Sequence, residues 1–270
     1  PLSLRQPSSR LSTGGLSECI MRYQFDAMST IDVLTAMNDE DRQVADAVRS
    51  ALPSIAEAVD AISQRKHKGG RLIYVGAGTS GRLGVLDAVE CPPTFSAAPG
   101  MVCGVIAGGE RAFMKAVEGA EDDPQLAASD LGDLGLCAKD CVVGIAASGR
   151  TPYVLGALHY ARSVGALAVA VTMNRGSQIS AAADIAIEAV TGPEILTGST
   201  RLKAGTATKM VLNMLSTGAF IRLNKVYGNL MVDVQATNER LRARVHAKAL
   251  NYVEVFAIDR SSLLAIALDF

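Results

Sequence analysis

Apolar residues recur along this chain first at helical spacing and then as short continuous runs, and the change of rhythm outlines a fold. From Ser29, two small hydroxyl residues precede Ile31, Val33, Leu34 and Met37, and Asn38 to Asp41 reads as the cap of a second helix carrying Val44, Val48 and Leu52. A third helix follows Pro53, with Ile55, Ala58, Val59 and Ile62 on one face. It ends in Arg65, Lys66, His67 and Lys68 before Gly69-Gly70, which puts basic charge and glycine where a helix C-terminus favours them. Strand-like runs then fall near 72–76, 102–107, 141–147, 167–173 and 184–190, separated by helix-like segments near 80–90, 110–121, 151–164 and 176–183. Runs such as CVVGIAA and ALAVAVTM lack polar alternation, as strands buried on both faces do. The expectation is an α/β fold: a mostly parallel sheet with helices on both sides and ligands beyond the strand C-termini. A long apolar helix from Lys203 to Leu223 and a further one from about Asp233 to Leu250 follow.

The same pattern divides the chain. Residues 1–28, rich in Ser, Gly and Arg, read as a leader arm; 29–68 as N-terminal helices; 69–225 as the main domain; and 226–270 as a C-terminal helical extension.

Composition narrows the function classes. The 270 residues are 49% hydrophobic, ample for a core, and 26 Lys and Arg against 27 Asp and Glu leave a net charge of −1. That balance gives no reason to expect a nucleic-acid partner. Five cysteines without paired metal-ligand spacing argue against a disulfide framework or a zinc site, and the absence of a run of about 18 apolar residues argues against a membrane span. The expected compartment is the cytoplasm.

The densest chemistry lies between Arg71 and Pro93, RLIYVGAGTSGRLGVLDAVECPP. A short strand runs into Gly76, Gly78 and Gly81, and Thr79 and Ser80 stand where hydroxyls cap a helix, so N–H groups, hydroxyls and the positive dipole end converge as an anion cradle. The second strand ends in Gly108-Gly109 rather than in an acidic residue, which favours a sugar phosphate over a dinucleotide. A second cradle follows the strand from Cys141: Ser148, Gly149, Arg150 and Thr151 before Pro152, a residue suited to a first helical turn. Gly198, Ser199, Thr200 and Arg201 form a third, with Lys203 as a basic partner for phosphate. His67, His159 and His246 are scattered and suggest no triad.

Five collinear segments carry a resemblance: YVGAGTSGRLGVLDAVECPPTF, IAGGERAFMKAVEGAEDD, GIAASGRTPYV, TGPEILTGSTRLKAGTATKMVLNMLSTG and YGNLMVDVQATNERL. Together, over about 29–244, they resemble the N-acetylmuramic acid 6-phosphate etherases, members of the sugar isomerase (SIS) fold group. The resemblance implies a three-layer sandwich on a five-stranded parallel sheet with flanking helices, and a homodimer. It also implies a lyase that removes a D-lactyl ether to leave N-acetylglucosamine 6-phosphate and D-lactate. Such an elimination needs no metal or organic cofactor, because the open-chain aldehyde stabilises the C2 carbanion; two carboxylates suffice. By the resemblance, Glu90 matches the acid that protonates departing lactate and Glu121 the C2 base. Both fall at the C-terminal ends of their expected helices, where the dipole disfavours negative charge, and Glu118, Asp122 and Asp123 compete with Glu121 for the role. Glu194 reads as a further polar contact or a helix cap. The alternatives are an aldose-ketose sugar phosphate isomerase, which shares the C2 proton abstraction, and a non-catalytic sugar phosphate regulator.

Overall fold

The structure, a computed structural model, describes residues 23–115 and 117–231. Most of the expected leader and the expected helix from Asp233 to Leu250 lie outside the described residues. After a 3₁₀ turn at Phe25–Ala27, the described part begins with three α-helices, α1 (Thr30–Asp41), α2 (Gln43–Ser50) and α3 (Leu52–His67). Asn38 to Asp41 close α1 rather than cap α2, whose N-cap is Arg42.

Five parallel strands follow: β1 (Leu72–Gly76), β2 (Val102–Ile106), β3 (Cys141–Ile145), β4 (Leu167–Thr172) and β5 (Ile185–Glu188). Their order is β2-β1-β3-β4-β5. Between and after them run α4 (Gly78–Phe95), α5 (Arg111–Met114), α6 (Pro124–Asp133), α7 (Pro152–Ser163), α8 (Gln178–Ala182) and α9 (Lys203–Arg222). A small antiparallel hairpin, β6 (Val226–Tyr227) with β7 (Leu230–Met231), closes the described part.

Strand alternation sorts the core into two layers. Leu72, Tyr74, Cys141, Val143, Ile145, Val169, Val171 and Ile187 face α2, α3 and α9, where Val48, Ile55, Ile62, Val211 and Leu215 meet them. Ile73, Val75, Val142, Ala168 and Ala170 face α6, α7 and α8, with Leu131, Val154, Leu158 and Ile179. The result is a three-layer α/β sandwich with flanking helices, as the unbroken apolar strands require. Asp140, entering β3, accepts from the Arg71 backbone N–H at 2.8 Å, from Arg71 Nη2 at 2.6 Å and from the Cys137 N–H at 3.0 Å, which ties β1 to β3 at their starts. Burial works to raise the Asp140 pKa, but these hydrogen bonds win and hold it below the usual carboxylate value.

Two expected helices change shape. The helix after β1 runs on through Pro92 and Pro93 to Phe95. The segment 110–121 is not one helix: α5 is a single turn, Lys115 leaves it extended, Gly119 turns back at φ 77°, and Ala120–Asp122 form a 3₁₀ turn before α6.

Candidate active site

The strand order reverses direction between β1 and β3, because β1 connects outward to β2 on one side and β3 connects to β4 on the other. In a parallel sheet this switch point opens a crevice at the strand C-termini. Gly76 pairs with Ile145, so the turns that follow the two strands emerge side by side.

After β1, Ala77 is the N-cap of α4 and has no side-chain hydrogen bond to give. Thr79 and Ser80 therefore do not cap the helix as expected; they lie inside its first turn. The N–H groups of Gly78, Thr79 and Ser80 have no helical partner, and all three point from the positive end of an 18-residue helix. Gly81 is required here: a Cβ would stand 2.6 Å from the Gly76 carbonyl oxygen and 2.7 Å from Ile106 Cγ1, so only glycine lets the helix start this close to the sheet.

After β3, the Gly149 N–H donates to the Ala146 carbonyl at 2.9 Å and that of Arg150 to Ser148 Oγ at 3.4 Å. Thr151 is the N-cap of α7, again without a side-chain cap, and Pro152 fills the first turn. Gly149 has φ 70°, and a Cβ on it would meet Ser177 Cβ at 2.2 Å. This packs the β3 turn against the start of α8. Asn174 Nδ2 donates to the Ala147 carbonyl at 2.8 Å from the same side.

The third loop differs. Glu194 accepts from the N–H groups of Lys203 at 3.0 Å and Ala204 at 2.9 Å, so the protein's own carboxylate occupies the N-terminus of α9. Lys203 Nζ donates to Glu40 Oε2 at 2.5 Å, with side chains 1% and 7% exposed. The expectation that Lys203 meets phosphate is thereby corrected: its ammonium is spent on a buried carboxylate from α1. Thr200 remains near the first cradle, since the Thr200 carbonyl and Thr79 Cγ2 both lie within 4 Å of a Cβ position on Gly205, while Ser199 is held in its own turn by the Leu196 carbonyl. Arg150, Thr200 and Arg201 are exposed.

The two glutamates stand apart. Glu121 is exposed on the 3₁₀ turn whose Ala120 is buried with Ala107 and Tyr153, beside the strand C-termini. It precedes α6, whose N-cap Asp123 accepts from the Gln125 and Leu126 N–H groups, so Glu121 lies near a helix start rather than a helix end. Glu90 is exposed in α4, twelve residues beyond Gly78 and well before the helix end, which at about 1.5 Å per residue separates it by about 18 Å along the axis. It lines a cavity of about 330 Å³ between α4 and α9 with Asp87, Lys209 and Asn213. A larger cavity of about 960 Å³ runs along β2, lined by Gly104, Phe113 and Asp133 among others, and includes none of the cradle residues.

Two residues of this region were not singled out from the sequence. Asp87 is buried and accepts from Tyr74 at 2.8 Å, Asn213 at 2.7 Å and Ser216 at 3.2 Å, which joins β1, α4 and α9. Burial raises its pKa, against the pull of those hydrogen bonds. A lone acidic residue among Leu83, Leu86 and Ala88 was the available signal. Arg82, the second, turns its guanidinium to the carbonyls of α5.

Comparison with known proteins places this geometry. Residues 54–162 match the glucokinase regulatory protein N-terminal SIS domain and 123–218 the SIS domain. A curated relative from Streptomyces coelicolor, named N-acetylmuramic acid 6-phosphate etherase, is 62% identical over 82% of this chain and 71% of its own. The chain belongs to the N-acetylmuramic acid 6-phosphate etherase family. A second etherase, from Mycolicibacterium smegmatis, is 60% identical over 82% of this chain and 74% of its own. The etherase sandwich extends to distant solved structures. A phosphoheptose isomerase from Francisella tularensis aligns over 70% of this chain and all of its own, with TM-score 0.53 and 18% identity, which shows a shared fold.

Proposed function

We propose that this member of the family cleaves the D-lactyl ether of N-acetylmuramic acid 6-phosphate, giving N-acetylglucosamine 6-phosphate and D-lactate. The observation that carries the reading is the pair of uncapped helix N-termini, α4 and α7, side by side at the switch point, with the Glu121 turn at the same sheet edge. Phosphate binds the N–H groups at the starts of both helices and the hydroxyls of Thr79, Ser80, Ser148 and Thr151. Glu121, as carboxylate, takes the C2 proton of the open-chain sugar, and the electron pair delocalises into the C1 aldehyde. Collapse of that enolate breaks the C3–O bond while Glu90 gives its proton to the leaving lactyl oxygen. Water then adds at C3, returning a proton to Glu90, and Glu121 returns its proton to C2.

Glu90 and the cradle of one chain are too far apart to meet one sugar, so Glu90 serves the cradle of a second copy in a homodimer. Leu86 and Val89, 43% and 58% exposed on the same helix, supply an apolar contact beside it. A phosphorylated sugar is retained by membranes, and the proposed compartment is the cytoplasm.

The test is incubation with N-acetylmuramic acid 6-phosphate in D₂O, following D-lactate and deuterium at C2. Glu121→Gln is expected to abolish both, whereas Glu90→Gln stops lactate release and leaves C2 exchange. Exchange without lactate from the unaltered protein would instead indicate an isomerase.

A further inference from the structure

The segment that carries Glu121 is tied to the cradle helix by one side chain. α5 is a single turn; the Lys115 N–H takes the Arg111 carbonyl and Lys115 then leaves the helix extended, so among the described residues no backbone N–H reaches the Ala112 and Phe113 carbonyls. Arg82, in the second turn of α4, reaches across to them: Nε donates to the Phe113 carbonyl and Nη2 to the Ala112 carbonyl, each at 2.8 Å. A planar guanidinium caps two adjacent carbonyls at once, which a lysine ammonium does less well. Helix stability does not account for the position, since a cation early in a helix opposes the dipole.

The described residues between this anchor and Glu121 are held at several points. Val117 sits directly over Gly108, where a Cβ would stand 2.7 Å from Val117 Cβ. Gly119 then reverses the chain, Ala120 is buried, and Asp123 caps α6. Downstream the turn is held by Ala120 and Asp123. Upstream, among the described residues, no hydrogen bond other than those of Arg82 joins the 111–119 segment to α4.

We propose that Arg82 is the positioning residue that holds the Glu121 turn in register with the phosphate cradle. The proposal rests on the reading of Glu121 as the C2 base. One end of α4 offers N–H groups to phosphate and the next turn fixes the segment bearing the base, so a single helix sets the distance between the phosphate and the C2 proton.

Arg82→Gln and Arg82→Lys test it, with Glu121→Gln alongside. Two quantities are read: the steady-state constants for C2 deuterium exchange, and the affinity for N-acetylglucosamine 6-phosphate by calorimetry. Arg82→Gln is expected to lower kcat for exchange by about 10- to 100-fold through lost orientation. KM and product affinity are expected to stay within about 3-fold of the unaltered protein, as when only transition-state alignment is lost. Arg82→Lys, which keeps the charge but caps one carbonyl, is expected to fall between, and it carries the same test where Arg82→Gln does not fold. Loss of product affinity with kcat retained would make Arg82 a phosphate ligand and overturn the proposal; unchanged exchange would reduce it to a helix cap and overturn it too. If Glu121→Gln keeps exchange, the base assignment falls and the proposal falls with it. If Glu121→Gln loses exchange and the Arg82 variants do not, the proposal alone fails.

Discussion

Lys66 carries its amine into the interior, where Nζ donates to the Met101 carbonyl at 3.0 Å and lies 5.0 Å above the Phe220 ring. Burial lowers its pKa from 10.5 to about 8, outweighing the opposing influence of the Cys91, Cys103 and Cys141 thiols. Between those two values the unfolded chain holds a proton that the folded chain has released, so stability rises with pH through that window. Below pH 8 the folded protein must keep a buried cation. Lys66→Met is expected to raise stability at pH 7 by about 1 to 3 kcal/mol and to flatten the rise between pH 8 and 10; urea melts across that range measure both. Lys203 is the contrasting case. Its buried charge has a carboxylate partner in Glu40, where the Lys66 amine has a carbonyl and a ring.

The elements show which parts of the site are built to be rigid. The β3 turn is clamped on the α8 start through Gly149, so Gly149→Ala must displace Ser177 as well as strain φ. That variant is expected to lose affinity for N-acetylglucosamine 6-phosphate by at least about 10-fold, with a stability loss of about 1 to 3 kcal/mol, read by calorimetry and by melts. The strands and the turns after β1 and β3 were legible in the sequence because their signals are local: unbroken apolar runs, then glycine and hydroxyl residues at the turn. The break between α5 and α6 was not, since Phe113, Met114, Ala116 and Val117 continue a helix-like apolar rhythm across it. Where the helix ends, its carbonyls are taken by a guanidinium 30 or 31 residues earlier in the chain, and that contact has no local signature. The role expected of Lys203 failed for the same reason, its partner Glu40 lying 163 residues away. Glu90 was singled out by motif, whereas its distance from the start of α4 follows only from the unbroken helix between them.

For the whole molecule, that distance makes a quantitative prediction. If Glu90 serves the partner's cradle, a heterodimer of Glu90→Gln with Glu121→Gln has one intact site, built from Glu121 of the first chain and Glu90 of the second. Mixing the two inactive variants under subunit exchange is expected to restore about a quarter of the unaltered activity, since half the dimers are mixed and half their sites are whole. Continued inactivity after verified exchange would place both glutamates within one chain. The Glu40–Lys203 pair has a different consequence, for synthesis. α2 and α3 lie over the sheet and against α9, and Glu40 of α1 pairs with Lys203, so the α9 side of these three helices stays uncovered until residue 203 and beyond has been made. During translation that side waits for α9, so these helices complete their packing only after all five sheet strands have been made.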